Sequence, residues 1–289
     1  MNLWKTYHLP ATTDEALFLL SQYGDQARII AGGTDLMVDL TENRIAPTQA
    51  LIDITCIPDL GHIEIRGGRV TIGAAVTFTQ ILRSDELRRL TPFLLDAART
   101  IGGWQIRNLG TLVGNVVNAS PAADGVPPLY TLDANIHILT ENGKRRQLPI
   151  ADFILDVRKV ALEAGEMVTE VSFPVPSSNW RTSFRKVGPR RSMAIAITNI
   201  AVMVMVEAGM LKDARIALGA VAPTVLRMKQ AEQSIIGSPV SAALISEASQ
   251  LSRKTTRPID DFRASASYRR MLVENLVRDQ LNQLLFDYM

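Results

Sequence analysis

Residues 105–124 read QIRNLGTLVGNVVNASPAAD. Gly114 stands between a hydroxyl, Thr111, and two amides, Asn115 and Asn118, all small hydrogen-bonding groups that suit the oxygens of a diphosphate and of sugar hydroxyls. The same residues also suit an asparagine-stabilised loop that holds nothing. Asp124, bounded by alanine and proline, can accept from a sugar hydroxyl or close a turn on its own backbone.

A second uncharged, glycine-bearing loop lies upstream in AGGTDL, residues 31–36. No side chain crowds its turn, so main-chain N–H groups can approach an oxygen-rich anion, and a helix that follows adds its positive end. Amide bonds to a charged acceptor contribute about 1.5–3 kcal/mol each, so a few amides could hold a pyrophosphate without a lysine. The spacing matches neither G-x-G-x-x-G nor G-x-x-x-x-G-K-[ST], which argues against a Rossmann nicotinamide site and a P-loop. A tight βα turn without ligand is the competing reading.

Outward from these loops the chain reads as mixed α and β. Thr12 and Glu15 form a capping box for a helix over 13–23 that Gly24 ends. ARIIA at 27–31 and ALIDI at 50–54 are buried strands flanking a short helix in LMVDL, a βαβ unit with the glycines at its first turn. RVTIGAAV is β-rich, Thr77 and Gln80 repeat the capping box, and Thr91–Pro92 open a helix that Gly102–Gly103 terminate. Pro127 and Pro128 suit a first helical turn. NIHILT and KRRQLPI form a hairpin over Asn142–Gly143 of type I′ character, its Lys144, Arg145 and Arg146 making a solvated edge. PVPSSNW at 174–180 marks a boundary, beyond which strands at 194–206 and 214–221 precede helices near 224–236, 240–252 and 264–286.

At 289 residues the chain is long enough for more than one core, with domains usually running to roughly 100–200 residues. A formal charge of +2, from 31 basic against 29 acidic residues, gives no polyanion footprint, so nucleic acid is a poor expectation. The N-terminus lacks the pattern of a secretory signal, and AIAITNIAVMVMV from Ala194 falls short of the about 18 apolar residues a span needs, so a cytoplasmic chain without a membrane span is expected. Cys56 is the only cysteine, so any cysteine-ligated iron–sulfur cluster must sit on a partner. His8, His62 and His137 follow no metal-ligand spacing and read as surface or hydrogen-bonded structural residues. No metal site and no catalytic acid, base or nucleophile is expected.

Taken together, AGGTDL, QIRNLGTLVGNVVNASPAADGVPPLYTLDA and FRKVGPRRSMAIA, in this order, resemble the FAD-binding (medium) subunit of the xanthine dehydrogenase and carbon monoxide dehydrogenase family of molybdenum hydroxylases. The resemblance covers nearly the whole chain. It implies an α+β fold: a vanillyl-alcohol-oxidase (PCMH)-type FAD-binding domain in two parts, 1–57 and 58–176, and a small C-terminal αβ domain, 177–289, with an antiparallel sheet and three helices. It further implies that Ile30, Ala31, Gly32, Gly33, Thr34 and Asp35, with Thr111, Leu112, Val113, Gly114 and Asn115, line the FAD pyrophosphate. Asp124 would bind a cofactor hydroxyl, Met167 or Val168 would pack near the flavin, and Lys186 would contact it. Two positions depart from the pattern. Val113 stands where relatives carry a glycine, and Ser192–Met193 offer no carboxylate or aromatic beside the flavin.

The function so implied is an electron-transfer oxidoreductase subunit, incomplete without its partners. A large subunit would carry molybdopterin and an iron–sulfur subunit the 2Fe-2S clusters, in a dimer of heterotrimers, with NAD, a quinone or oxygen as acceptor. Lys186, Arg190 and Arg191 would favour a reduced, anionic ring, or else form a basic face against an acidic partner. Two other classes compete: a cofactor-free scaffold or assembly subunit of the same fold, for which Val113 speaks, and an independent flavin oxidase or reductase such as a cell-wall-precursor reductase, which needs a proton donor that the sequence does not place.

Overall fold

The structure is a computed structural model that describes residues 3–190 and 192–288. Strand β1 (Trp4–His8) opens it, largely exposed and without the alternation that would announce a strand. Thr12 caps α1 (Thr13–Tyr23) by accepting from the Glu15 amide at 3.2 Å, and Gly24 stops it at φ +52°. Then β2 (Ala27–Ile30), α2 (Leu36–Thr41) and β3 (Thr48–Asp53) form the expected βαβ unit, with β2 and β3 parallel and Ile30 opposite Asp53. β1 pairs in parallel with the other edge of β3.

β4 (Ile63–Arg66) and β5 (Arg69–Gly73) make a hairpin. The capping box at the start of α3 (Phe78–Arg83) is present, Gln80 N donating to Thr77 Oγ1 at 3.2 Å and Thr77 N to Gln80 Oε1 at 2.7 Å. α4 (Asp85–Leu90) and α5 (Pro92–Thr100) follow. Two short helices, α6 (Trp104–Leu109) and α7 (Leu112–Val117), occupy the stretch whose glycines and amides suggest loop. α8 (Val126–Thr131) carries its two prolines in the first turn.

β6 (Asn135–Thr140) and β7 (Arg145–Pro149) are closed by Gly143 N to Thr140 O at 2.9 Å and Thr140 N to Lys144 O at 3.0 Å. The turn is not type I′. That turn needs two successive left-handed residues, whereas Gly143 at φ +69° is the left-handed one here and Asn142 is not; a three-residue loop from Glu141 to Gly143 results. Nor is the basic edge wholly solvated: Arg146 clamps Glu166 through Nε at 2.7 Å and Nη2 at 2.5 Å.

After α9 (Ile150–Phe153) come the short β8 (Ile154–Asp156) and β9 (Lys159–Val160), then the long β10 (Glu166–Pro174). β11 (Trp180–Val187), β12 (Thr198–Glu207), β13 (Met210–Gly219) and β14 (Leu226–Arg227) form one antiparallel sheet in that order. β12 starts at Thr198, later than the apolar run from Ala194 suggests. The chain must first reverse from β11, and pairing begins only where Thr198 comes opposite Val187. Helices α10 (Lys229–Ile235), α11 (Ala242–Thr255) and α12 (Ala266–Leu285) complete the chain.

These elements gather into two compact units made of interleaved segments. One takes residues up to Ile81 together with Trp104–Asn118 and Ala134–Val175. It holds the parallel sheet β1-β3-β2 and the five-stranded antiparallel sheet β4-β5-β10-β6-β7, whose Val70, Ile72, Ile136, Ile138, Val171 and Phe173 are buried. The other takes Leu82–Gly103, Ala119–Asp133 and the chain from Pro176 onward. Alternate residues of β12 and β13 (Ile200, Val202, Val204; Ile216, Leu218) present one face to Val273, Val277 and Leu281 of α12. Each such side chain contributes about 1.5–3 kcal/mol on burial. Pro176 opens the last segment of the second unit, which Leu82–Gly103 and Ala119–Asp133 join from earlier in the chain.

Candidate functional site

The two glycine-bearing loops meet within the first unit. β2 ends at Ile30, which is buried with Leu40 and Leu51, and the chain then turns through Ala31–Asp35 into α2. At Gly32 a β-carbon would stand 2.0 Å from the Leu109 carbonyl oxygen and 2.7 Å from the Gly110 Cα, so the two backbones touch and Gly32 has no room for a side chain. Gly33 sits at φ +66°, in the left-handed region that glycine enters at little cost. Thr34 Oγ1 lies 3.4 Å from where a β-carbon of Gly110 would be. A third segment fixes the second loop from its far side: Phe78 N donates to Gly110 O at 3.0 Å, Leu112 N to Val76 O at 3.4 Å, and Thr77 bridges Thr111. Nothing in the sequence spacing points to that anchor.

What the turn leaves open is a row of donors. The N–H groups of Gly32, Gly33, Thr34 and Asp35 donate to no acceptor among the described residues, and the segment is half-buried to exposed. In the second loop, Thr111 caps α7 by accepting from Gly114 N at 2.9 Å, so its hydroxyl is engaged. Leu112 and Val113 are buried, Gly114 is exposed, and Asn115 N donates to Thr111 O. The side chain of Val113 therefore goes into the core and not onto the open face. Asn118 Oδ1 accepts from Arg158 at 2.5 Å. Open main-chain donors at a glycine turn packed against a second glycine loop fit a diphosphate, which needs several N–H groups.

In the second unit Asp124 and Lys186 meet each other. Lys186 Nζ lies 2.5 Å from Asp124 Oδ2 and donates to Thr100 O at 3.0 Å, while Asn199 Nδ2 donates to Asp124 Oδ1 at 2.8 Å. All three are nearly or wholly buried. Burial pushes the Asp124 carboxyl up, and the Lys186 ammonium and the hydrogen bonds from Lys186 and Asn199 oppose it. The loop that carries Asp124 is held a second time, Ala220 N donating to Pro121 O at 2.7 Å. Sequence reading misses Asn199, although one amide inside AIAITNIAVMVMV is the signal that a polar partner awaits it in the core. Beside Lys186 a groove of about 640 Å³ is lined by Thr100, Arg185, Gly188, Arg190 and Ser192. Arg190 donates to Met193 O at 2.7 Å, and Arg191 lies outside the described residues.

Met167 and Val168 are buried on β10, opposite Leu139 and Ile138, on the strand against which α7 packs. The histidines take local partners: His8 Nε2 lies 3.1 Å from Thr6 Oγ1, His62 Nδ1 lies 2.8 Å from Asp59 O, and His137 Nε2 lies 2.7 Å from Ser172 Oγ. Among the described residues no helix is long and apolar enough to cross a membrane.

Comparison with known proteins fills in this picture. Residues 3–176 match the family described as the FAD binding domain in molybdopterin dehydrogenase, and residues 183–284 match the CO dehydrogenase flavoprotein C-terminal domain. The chain is 34% identical over 287 residues to the nicotinate dehydrogenase FAD-subunit of Eubacterium barkeri, covering 96% of each. It is 30% identical to the carbon monoxide dehydrogenase medium chain of Hydrogenophaga pseudoflava, covering 96% of this chain and 95% of that one. A solved carbon monoxide dehydrogenase from H. pseudoflava superposes with a TM-score of 0.93 over 97% of this chain and 96% of that one, at 30% identity. For quinoline 2-oxidoreductase from Pseudomonas putida 86 the TM-score is 0.91 at 26% identity, over 99% and 98%.

Proposed function

The chain belongs to the family of FAD-binding subunits of molybdopterin dehydrogenases, and on that premise we propose that it is the electron-transfer subunit of a cytoplasmic multi-subunit molybdenum hydroxylase. It is an oxidoreductase subunit with the α+β fold of that family. In the proposal it takes electrons from a partner iron–sulfur subunit and passes them to NAD or another acceptor, beside a large subunit that carries molybdopterin, in a dimer of heterotrimers. FAD, when bound, supplies the redox chemistry, and the protein supplies position and electrostatics.

The contact between Gly32 and Leu109–Gly110 carries this reading, because it brings the two glycine loops together and leaves the N–H groups of Gly32–Asp35 turned to no acceptor among the described residues. Ile30–Asp35 and Thr111–Asn115 would hold the diphosphate, mainly through main-chain donors. Leu112 and Val113 would serve through their backbone, their side chains being buried. Met167 and Val168 would contribute packing. Asp124 and Lys186 enter as a pair: a cofactor hydroxyl that Asp124 accepts must share the carboxylate with Lys186 and Asn199, so the lysine limits how strongly Asp124 can bind it.

Purified protein should be yellow with a flavin visible spectrum, and apoprotein should take up one equivalent of FAD with quenching of flavin fluorescence. Colourless protein that takes up no FAD would leave the cofactor-free scaffold as the better reading. Turnover of a soluble substrate by the isolated chain would point instead to an independent flavoenzyme.

A further inference from the structure

The geometry points to Arg158 as a positioning residue that ties the helices behind the two glycine loops into one clasp, an inference that rests on the FAD reading above. Arg158 sits in the turn between β8 and β9, far in sequence from both loops and outside every motif that the sequence displays. Its Nη1 donates to Asp39 Oδ2 at 2.8 Å and to Asn118 Oδ1 at 2.5 Å. Asp39 lies on α2, the helix into which AGGTD runs, and Asn118 is the C-cap of α7, the helix that carries Val113 and Gly114. One guanidinium nitrogen therefore spends both its hydrogens on holding one helix to the other.

Two observations set this apart from an ordinary surface ion pair. Asp39 is 8% exposed and its other oxygen lies 3.4 Å from Arg44 Nη1, so the acceptor is fixed from both sides. Arg158 also occupies φ +58°, a left-handed conformation that glycine or asparagine adopts at lower cost. Such a backbone persists where the surroundings determine it, and here the side chain gains the hydrogen bonds to Asp39 and Asn118 in return. By this account Arg158 presets the spacing of α2 and α7 before a diphosphate arrives. The N–H groups of the turn and the exposed Gly114 then need not be gathered at the moment of binding, which lowers the cost of ordering them.

The test separates holding from folding. Arg158→Gly removes the guanidinium and relaxes the turn, so the thermal midpoint of the apoprotein should stay near that of the wild type. Its dissociation constant for FAD, read by fluorescence quenching, should rise about fivefold, the equivalent of ~1 kcal/mol. Asn118→Ala should raise the constant less, because Asp39 still holds the arginine. The double variant should bind no more weakly than Arg158→Gly alone. Wild-type affinity in Arg158→Gly, or additive losses in the double variant, would overturn the inference. A wild-type chain that takes up no FAD would instead bring down the functional reading, and this inference with it.

Discussion

Gly32 and Leu109 are in main-chain contact: a β-carbon on Gly32 would come within 2.0 Å of the Leu109 carbonyl oxygen. Because the obstacle is backbone, no rotamer change relieves it. Gly32→Ala must push the AGGTD turn away from Gly110 and break the alignment of the two loops. FAD affinity should fall by at least about tenfold, ~1.4 kcal/mol, in a titration of the apoprotein. Gly143→Ala in the β6–β7 turn, where a β-carbon meets nothing within 4 Å, should retain wild-type affinity.

Lys186→Met leaves Asp124 buried beside Asn199 without its cation. Removing one member of a buried ion pair costs about 3–5 kcal/mol, whereas replacing both with neutral groups costs much less. Urea unfolding should show Lys186→Met strongly destabilised and Asp124→Asn/Lys186→Met restored toward wild type. Equal instability of the single and double variants would show that packing, not charge, holds this cluster. For the flavin, the sequence suggests a lower potential in Lys186→Ala; the ion pair predicts that Asp124→Asn in the same background moves it back.

Gly219 faces Asn199 across β12 and β13, and a β-carbon there would lie 2.2 Å from Asn199 Oδ1, an atom with no hydrogen-bond partner among the described residues. Gly219→Ala should displace the amide that donates to Asp124 and destabilise the protein by about 1–3 kcal/mol. Asn199→Ala should absorb part of that loss, so a double-mutant cycle in urea should return a coupling clearly different from zero.

Glu166 titrates below the usual glutamate value of 4.5, chiefly because Arg146 hydrogen-bonds its carboxylate. A lowered carboxylate stabilises the fold above the unfolded value, and that contribution is lost as pH falls through the folded one. Glu166→Gln should therefore melt below the wild type by a constant margin at neutral pH, and the gap should narrow below about pH 4.5. A gap that widens on acidification would contradict the assignment.

Local signals made much of the fold legible. Thr12 and Thr77 announce helix starts, Gly24 a stop, and the apolar runs around Ile29 and Leu51 a parallel pair, because each of these is decided within a few residues. β1 was not legible, since its exposed side chains carry no alternation and its existence depends on β3. The site divides in the same way. Both glycine loops stand out in the sequence, but the anchor at Val76–Phe78, the amide of Asn199 and the guanidinium of Arg158 act across long sequence separations that no spacing rule encodes. The sequence marks Asp124 and Lys186 separately, 62 positions apart, and their pairing exists only in three dimensions.

The interleaving of the two units bears on how the protein can be dissected. A cut after Val175 would look natural from the two matched families, yet it would strand α5, whose Phe93, Leu94 and Leu95 are buried and whose packing partner β11 belongs to the piece removed. The N-terminal half expressed alone should aggregate through that bared apolar helix, and the C-terminal half should lack a wall of its own interior. Co-expression of the halves, by fragment complementation, is the arrangement expected to yield soluble material.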